Sequence, residues 1–246
     1  MKKLLLSAFV ICLAGTSIAQ ESPLWMRHCA LSPDGTTIAF TYKGDIYTVP
    51  STGGRATQIT TNPAFDTEPV WSPDSKQIAF ASDRMGSLDV FVVSSEGGAP
   101  QRLTTHSGSE KPVAYKDNKH ILFTANIAPS AEDAGFPSGQ FQQVYEVAVT
   151  GGRPAMFSSM PMECISINKE GVMLYQDKKG YEDYWRKHQV SPIARDIWTY
   201  TPGKKPVYQK QTTFGGEDRE PVWSPDGKSF YYLSEEKGSF NIFQRT

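Results

Sequence analysis

Four histidines, His28, His106, His120 and His188, and three cysteines, Cys12, Cys29 and Cys164, are the side chains best suited to nucleophilic, acid–base or metal chemistry. Nucleophilic catalysis needs a Ser or Cys held by a base that a third group orients, and a Gly-x-Ser-x-Gly run advertises it locally. No such run occurs. The histidines are scattered, without a His-Glu-x-x-His pair or an acidic cluster at ligand spacing. Carboxylate pairs stand at Glu182-Asp183, Glu217-Asp218 and Glu235-Glu236, in polar loops where adjacent acids read as solvated surface. The Gly-Gly dipeptides precede no helix pattern and cradle no phosphate. The sequence thus predicts no catalytic residue, no metal site and no cofactor. One stretch suits binding: Tyr181, Tyr184 and Trp185 stand beside Arg186 and His188. Aromatics next to Arg carry the energy of protein and peptide contacts. They are expected to contact a substrate or another domain, against the plainer reading of a loop folded on its own unit.

The elements that position this stretch are repeats. Pro69-Val70-Trp71-Ser72-Pro73-Asp74-Ser75 returns as Pro221-Val222-Trp223-Ser224-Pro225-Asp226-Gly227, with weaker copies ending at Asp34-Gly35, Asp117-Asn118 and Glu170-Gly171. Pro sets φ near −65°, Asp bonds its own downstream backbone and Gly accepts a left-handed φ, so each copy reverses the chain. A β-type run follows each turn: Ile38-Ala39-Phe40, Ile78-Ala79-Phe80, Ile121-Leu122-Phe123, Met173-Leu174-Tyr175 and Phe230-Tyr231-Tyr232. A second run places a β-branched residue before an aromatic, at Ile46-Tyr47, Val90-Phe91, Val144-Tyr145, Ile197-Trp198 and Ile242-Phe243. Gly53-Gly54, Gly97-Gly98 and Gly151-Gly152 then lead to short runs such as Ile59-Thr60 and Leu103-Thr104.

Four short antiparallel strands per unit, with apolar residues on both parities, predict an all-β fold, a β-propeller of four-stranded blades. The expected blades are residues 25–63, 64–107, 108–160 and 161–215, with a partial fifth at 216–246 and an incomplete ring. Turn acids are spaced 40 residues from Asp34 to Asp74, then 43, 53 and 56. The excess lies at residues 126–140 and 176–194, in the same connection of two units, which predicts insertions on one face.

The 246 residues carry 25 Lys+Arg against 26 Asp+Glu and no basic patch, which argues against nucleic acid as a partner. Lys2 and Lys3, the apolar run Leu4 to Leu13 and Ser17-Ile18-Ala19 read as a secretory signal cleaved after Ala19, with no membrane span in the mature chain. The expected location is the periplasm. In that oxidising compartment Cys29 and Cys164 could pair, although two small buried residues on unrelated strands is the favoured reading.

With those motifs in hand, the repeats resemble the TolB-like propeller family across residues 25–246. Tyr175 to His188, Ala194 to Trp198, and Thr212 to Gly227 are similar to the N-terminal propeller of exported tricorn-type serine peptidases. That resemblance implies peptides or unfolded protein segments as partners. It also implies a second propeller, a PDZ domain and a tail-specific peptidase core beyond Thr246, so this segment by itself would be inactive. The alternatives are a TolB-like envelope scaffold for protein partners and the propeller of a prolyl-oligopeptidase-type hydrolase.

Overall fold

A computed structural model of the chain describes residues 25–127, 141–180 and 190–246. The signal segment and the loop residues Tyr181, Tyr184, Trp185, Arg186 and His188 lie outside the described residues.

The described chain forms five antiparallel sheets, each taken in chain order. The first holds β1 (Arg27–Leu31), β2 (Thr37–Tyr42), β3 (Asp45–Pro50) and β4 (Thr57–Gln58). The second holds β5 (Asp66–Trp71), β6 (Gln77–Ser82), β7 (Asp89–Ser94) and β8 (Gln101–Arg102). The third holds β9 (Lys111–Asp117), β10 (His120–Ala125), β11 (Gln143–Ala148) and β12 (Ala155–Ser158). The fourth holds β13 (Met162–Ile167), β14 (Met173–Asp177), β15 (Ile197–Thr201) and β16 (Val207–Lys210). The fifth holds β17 (Asp218–Trp223), β18 (Phe230–Ser234) and β19 (Asn241–Arg245).

The propeller expectation holds, and the blade count is corrected. The structure has five blades, the last of three strands, where four complete blades and a partial fifth were expected. Gly238 reverses the chain after β18 with φ of 101°, so Asn241-Ile242-Phe243 pairs fully with β18.

The two repeated runs are cross-strand partners, and this is why they recur together. Phe40 faces Tyr47, Phe80 faces Phe91, Phe123 faces Tyr145, Tyr175 faces Trp198 and Tyr232 faces Phe243. Ring centroids of the Phe80–Phe91 and Phe123–Tyr145 pairs lie 5.9 and 5.7 Å apart, within the range for aromatic pairs.

Neighbouring sheets bury their faces against each other. Ala39, Ile46 and Ile59 of the first pack on Trp71, Ile78, Phe80, Phe91 and Val93 of the second. Ala79, Val90 and Val92 pack in turn on Tyr115, Ile121, Phe123 and Tyr145 of the third. The same arrangement joins the third to the fourth and the fourth to the fifth. The first strands β1, β5, β9, β13 and β17 contact one another in succession, which puts them innermost. The short β4, β8, β12 and β16 pack on their own third strands and form the outer rim.

The Ser-Pro-Asp turns behave as their chemistry dictates. Ser72 Oγ donates to Asp74 Oδ1 at 2.6 Å and accepts from Gln77 N at 2.9 Å, while Asp74 Oδ1 accepts from Lys76 N at 3.1 Å. Ser32–Asp34 and Ser224–Asp226 repeat the pattern.

Candidate functional site: the inner-strand cavity

All five inner strands shift register near the start, β9 between Pro112 and Ala114, and in the other four the bulge holds a left-handed residue. In those four the register shifts between Arg27 and Ala30, Thr67 and Val70, Glu163 and Ser166, and Arg219 and Val222. At each bulge a non-glycine residue takes a left-handed φ: His28 at 51°, Glu68 at 55°, Cys164 at 52° and Glu220 at 54°. Every one stands six positions before its turn acid, Asp34, Asp74, Glu170 or Asp226. A bulge leaves an extra residue outside the ladder and re-aims its side chain. Pro69 and Pro221 follow two of these residues, and a residue without an N–H suits an unpaired position.

The bulged starts of β1, β5 and β13, with the start of β9, line one cavity of about 460 Å³. His28, Cys29, Glu68, Lys111, Glu163 and Cys164 are on its wall. Gln142 and Lys178, which flank the two long insertions, are also on it. The insertions leave from the ends of β10 and β14, the end at which the inner strands begin, so the expectation of one face is met for their anchoring residues.

The charges on this wall are paired. Lys111 Nζ donates to Glu68 Oε1 at 2.8 Å, joining the second and third blades. Glu163 accepts from Lys178 Nζ at 2.9 Å and Gln176 Nε2 at 3.0 Å, with Arg195 Nε at 3.4 Å. Burial acts to raise the Glu163 carboxyl, but Lys178, Gln176 and Arg195 outweigh it and hold the group below the usual carboxylate range. Arg195 also donates to Glu217 at 2.6 Å, and Lys179 bonds Asp196 and the carbonyl of Ala194. Both ends of the fourth-blade insertion are therefore clamped at the cavity edge.

The cysteines correct an expectation. Both are exposed and free, on inner strands facing one cavity, where two buried residues on unrelated strands were expected. The cause is the bulge, which takes these positions out of the β1–β2 and β13–β14 ladders. Desolvation by the surrounding walls nonetheless pushes the Cys164 thiol up to about 12, so it is no activated nucleophile. His106 accepts from Gly108 N and His120 meets Asp117, both local turn contacts away from the cavity. Among the described residues no group of three His, Cys, Asp or Glu side chains is placed to hold a metal, and no helix is long and apolar enough to cross a membrane. The sequence reading missed Glu68, Lys111 and Glu163; Glu68 and Lys111 stand at one offset before their turn acids Asp74 and Asp117, which was the available signal, while Glu163 is out of step with them.

Comparison with known proteins agrees with this geometry. The profile of the tricorn protease N-terminal beta propeller domain matches residues 23–246. The chain is 39% identical over 213 residues to tricorn protease homolog 1 of Streptomyces coelicolor, covering 86% of this chain and 19% of that protein. It is 32% identical over 108 residues to the uncharacterized peptidase YuxL of Bacillus subtilis, covering 39% of this chain and 16% of that one. The chain thus spans less than a fifth of either relative. Among solved structures, the tricorn protease superposes with a TM-score of 0.71 at 17% identity, over 91% of this chain and 21% of that one. TolB from Acinetobacter baumannii superposes with a TM-score of 0.63 at 18% identity, over 90% and 51%. At such identities these two structures speak to the fold alone. The chain belongs to the tricorn protease N-terminal beta propeller domain family.

Proposed function

We propose that this chain is the non-catalytic propeller segment of a tricorn-like, exported serine peptidase, and that it admits or holds peptide substrate for an active site elsewhere in the polypeptide. The observation that carries the reading is the convergence of the inner strands β1, β5, β9 and β13 on one cavity in a chain of this family. Bulged strand starts offer unpaired backbone groups, which an extended peptide can meet with its own. The wall's apolar Val70, Val113 and Met162 and its internally paired charges suit a peptide of mixed sequence better than a single charged ligand. The same reading assigns peptide contact to Tyr181, Tyr184, Trp185, Arg186 and His188 of the fourth-blade insertion. The signal-like N-terminus supports a periplasmic location, and the small share of the relatives' length supports a longer polypeptide with a further propeller, a PDZ domain and a peptidase core.

The test uses Cys29 and Cys164, which face the cavity and are the thiols of the mature chain. A bulky maleimide on Cys29, in a Cys164→Ser background, should weaken binding of a fluorescent unfolded-casein peptide at least tenfold, while a Cys29→Ser, Cys164→Ser protein treated alike keeps its affinity. Unchanged affinity after complete labelling would overturn the reading.

A further inference from the structure

The blade junctions repeat a polar device in addition to their apolar cores. At the start of an inner strand, the backbone N–H of Asp66, Glu110 or Asp218 donates to the carbonyl of Gly44, Leu88 or Arg195 at 2.7, 2.7 and 3.1 Å. Each of those carbonyls precedes an acid at the start of the neighbouring third strand: Asp45 and Asp89, which open β3 and β7, and Asp196, just before β15. A threonine sits between, since Thr60, Thr104 and Thr212 accept at Oγ from the N–H of Ile46, Val90 and Ile197 at 3.0, 2.9 and 3.0 Å. An acid of one blade thus faces an acid of the previous one at the first, second and fourth junctions. At the third junction Gln143 and Met162 hold the two places, without charge.

The cations are distributed unequally. At the first junction Arg84 Nη2 bonds both oxygens of Asp66 at 2.9 and 3.0 Å, and its guanidinium lies 4.5 Å from the centre of the Phe91 ring. At the second, Arg102 lies 2.9 Å from Asp89, the third-strand acid, and among the described residues no basic side chain pairs with Glu110. Glu110 is wholly buried, neither of its oxygens has an aligned donor, and Asp89, Thr104 and the His106 amide surround it. At the fourth, Lys179 and Lys210 both serve Asp196. Asp218 is wholly buried, with Thr212, Ser234, Asp196 and Glu236 around it. Two buried carboxylates facing each other with cations on one side only cannot both ionise cheaply.

We propose that the second and fourth blade junctions close on a neutral carboxylic acid, Glu110 and Asp218 respectively, so that these two junctions loosen more as pH rises than the first and third. Burial pushes Glu110 up to about 7, with Asp89 adding to the shift and Thr104 opposing it. Burial likewise pushes Asp218 up to about 6, against Ser234 and Thr212. A carboxyl raised in the fold gives stability that is full below its unfolded value and is lost as pH rises through the folded one. The windows are 4.5 to about 7 for Glu110 and 3.8 to about 6 for Asp218. The result is a propeller whose junctions differ in their response to alkali.

Amide hydrogen exchange of the whole chain at about pH 5 and about pH 8, corrected for intrinsic rates, reads each junction separately. Peptides from β7 and β9, and from β15 and β17, should lose protection several-fold more at the higher pH than peptides from β3 and β5 or β11 and β13. Glu110→Gln should restore protection at the second junction only, and Asp218→Asn at the fourth only. Equal loss at all four junctions, or loss that persists in the variants, would overturn the proposal. Should either variant fail to fold, the contrast among wild-type junctions decides by itself.

Discussion

Trp71 Nε1 donates to the carbonyl oxygen of Ala30 at 3.0 Å, so the indole of the Trp-Ser-Pro-Asp turn reaches from the second blade to the inner strand of the first. Trp223 does the same with Val172, at 3.2 Å, between the fifth and fourth. The motif's Trp is therefore a clasp to the previous blade as well as an apolar filler.

That double role separates two substitutions. Trp71→Phe keeps part of the buried ring and loses the hydrogen bond, and should cost about 1 kcal/mol. Trp71→Ala also opens a cavity against Ile78 and Ile46, and should cost about 3–5 kcal/mol. Urea unfolding at constant m-value measures both. Equal losses would mean that the indole N–H contributes most of the effect.

Arg195 is nearly buried, with 14% side-chain exposure, between Glu217 at 2.6 Å and Glu163 at 3.4 Å. Removing it strands an acid that is 10% exposed, so Arg195→Met should destabilise by about 3 kcal/mol, the penalty of an uncompensated charge. Arg195→Lys should recover only part of this, because an ammonium cannot span two carboxylates as a guanidinium does. Removing the acid at the same time, in Arg195→Met with Glu217→Met, should recover more than the lysine. The urea midpoint is the readout, and a loss below about 0.5 kcal/mol in the single variant would show the cluster to be solvated.

The fold was legible because its repeat lies in local chemistry. The Ser32, Ser72 and Ser224 turns are set by residues adjacent in sequence, and the Phe80–Phe91 type of pair by two runs a hairpin apart. The cavity was less legible, since Glu68, Cys164 and Lys178 come together only when blades are arranged around an axis. Nothing near Cys164 in sequence says that a bulge turns it toward Cys29's blade. The fifth blade was read as partial because no Gly-Gly turn and no further run follow Asn241-Ile242-Phe243, yet β17, β18 and β19 already pair into a three-stranded sheet. The junction acids were hidden for another reason. Asp218 read as a loop carboxylate beside Glu217, and Glu110 belongs to no motif; both are fixed by backbone bonds to the Arg195 and Leu88 carbonyls of the preceding blade.

The Glu68–Lys111 pair crosses from the second blade to the third at the cavity wall, with side-chain exposures of 24% and 37%. Water reaches both groups, so a double-mutant cycle with Glu68→Gln and Lys111→Met should return a coupling of only about 0.5 kcal/mol. The consequence for binding is larger than for stability. Lys111→Met leaves Glu68 as an unpaired negative charge in the cavity, so affinity should fall for an acidic peptide and rise for a basic one, with the difference shrinking in high salt. Equal affinities for the two peptides would place the bound chain away from this pair.

The turn acids contribute to the acid side of the stability profile. The Ser32 hydroxyl holds Asp34 below its ordinary value of 3.8, as Ser72 does for Asp74 and Ser224 for Asp226, with backbone N–H groups adding to the effect. A carboxyl depressed in the fold gives stability that is present above its unfolded value and lost as pH falls through the folded one. These three acids therefore act opposite in sign to Glu110 and Asp218, and stability should pass through a maximum between the two windows. Replacing Asp34, Asp74 and Asp226 together by Asn keeps an oxygen for the turn but removes the titration. Thermal scans from about pH 2.5 to about pH 5 should show a flatter acid limb in that variant, with the alkaline limb unchanged. An acid limb as steep as the wild type's would move its origin from the turns to Glu163, which Lys178, Gln176 and Arg195 hold below the usual carboxylate range.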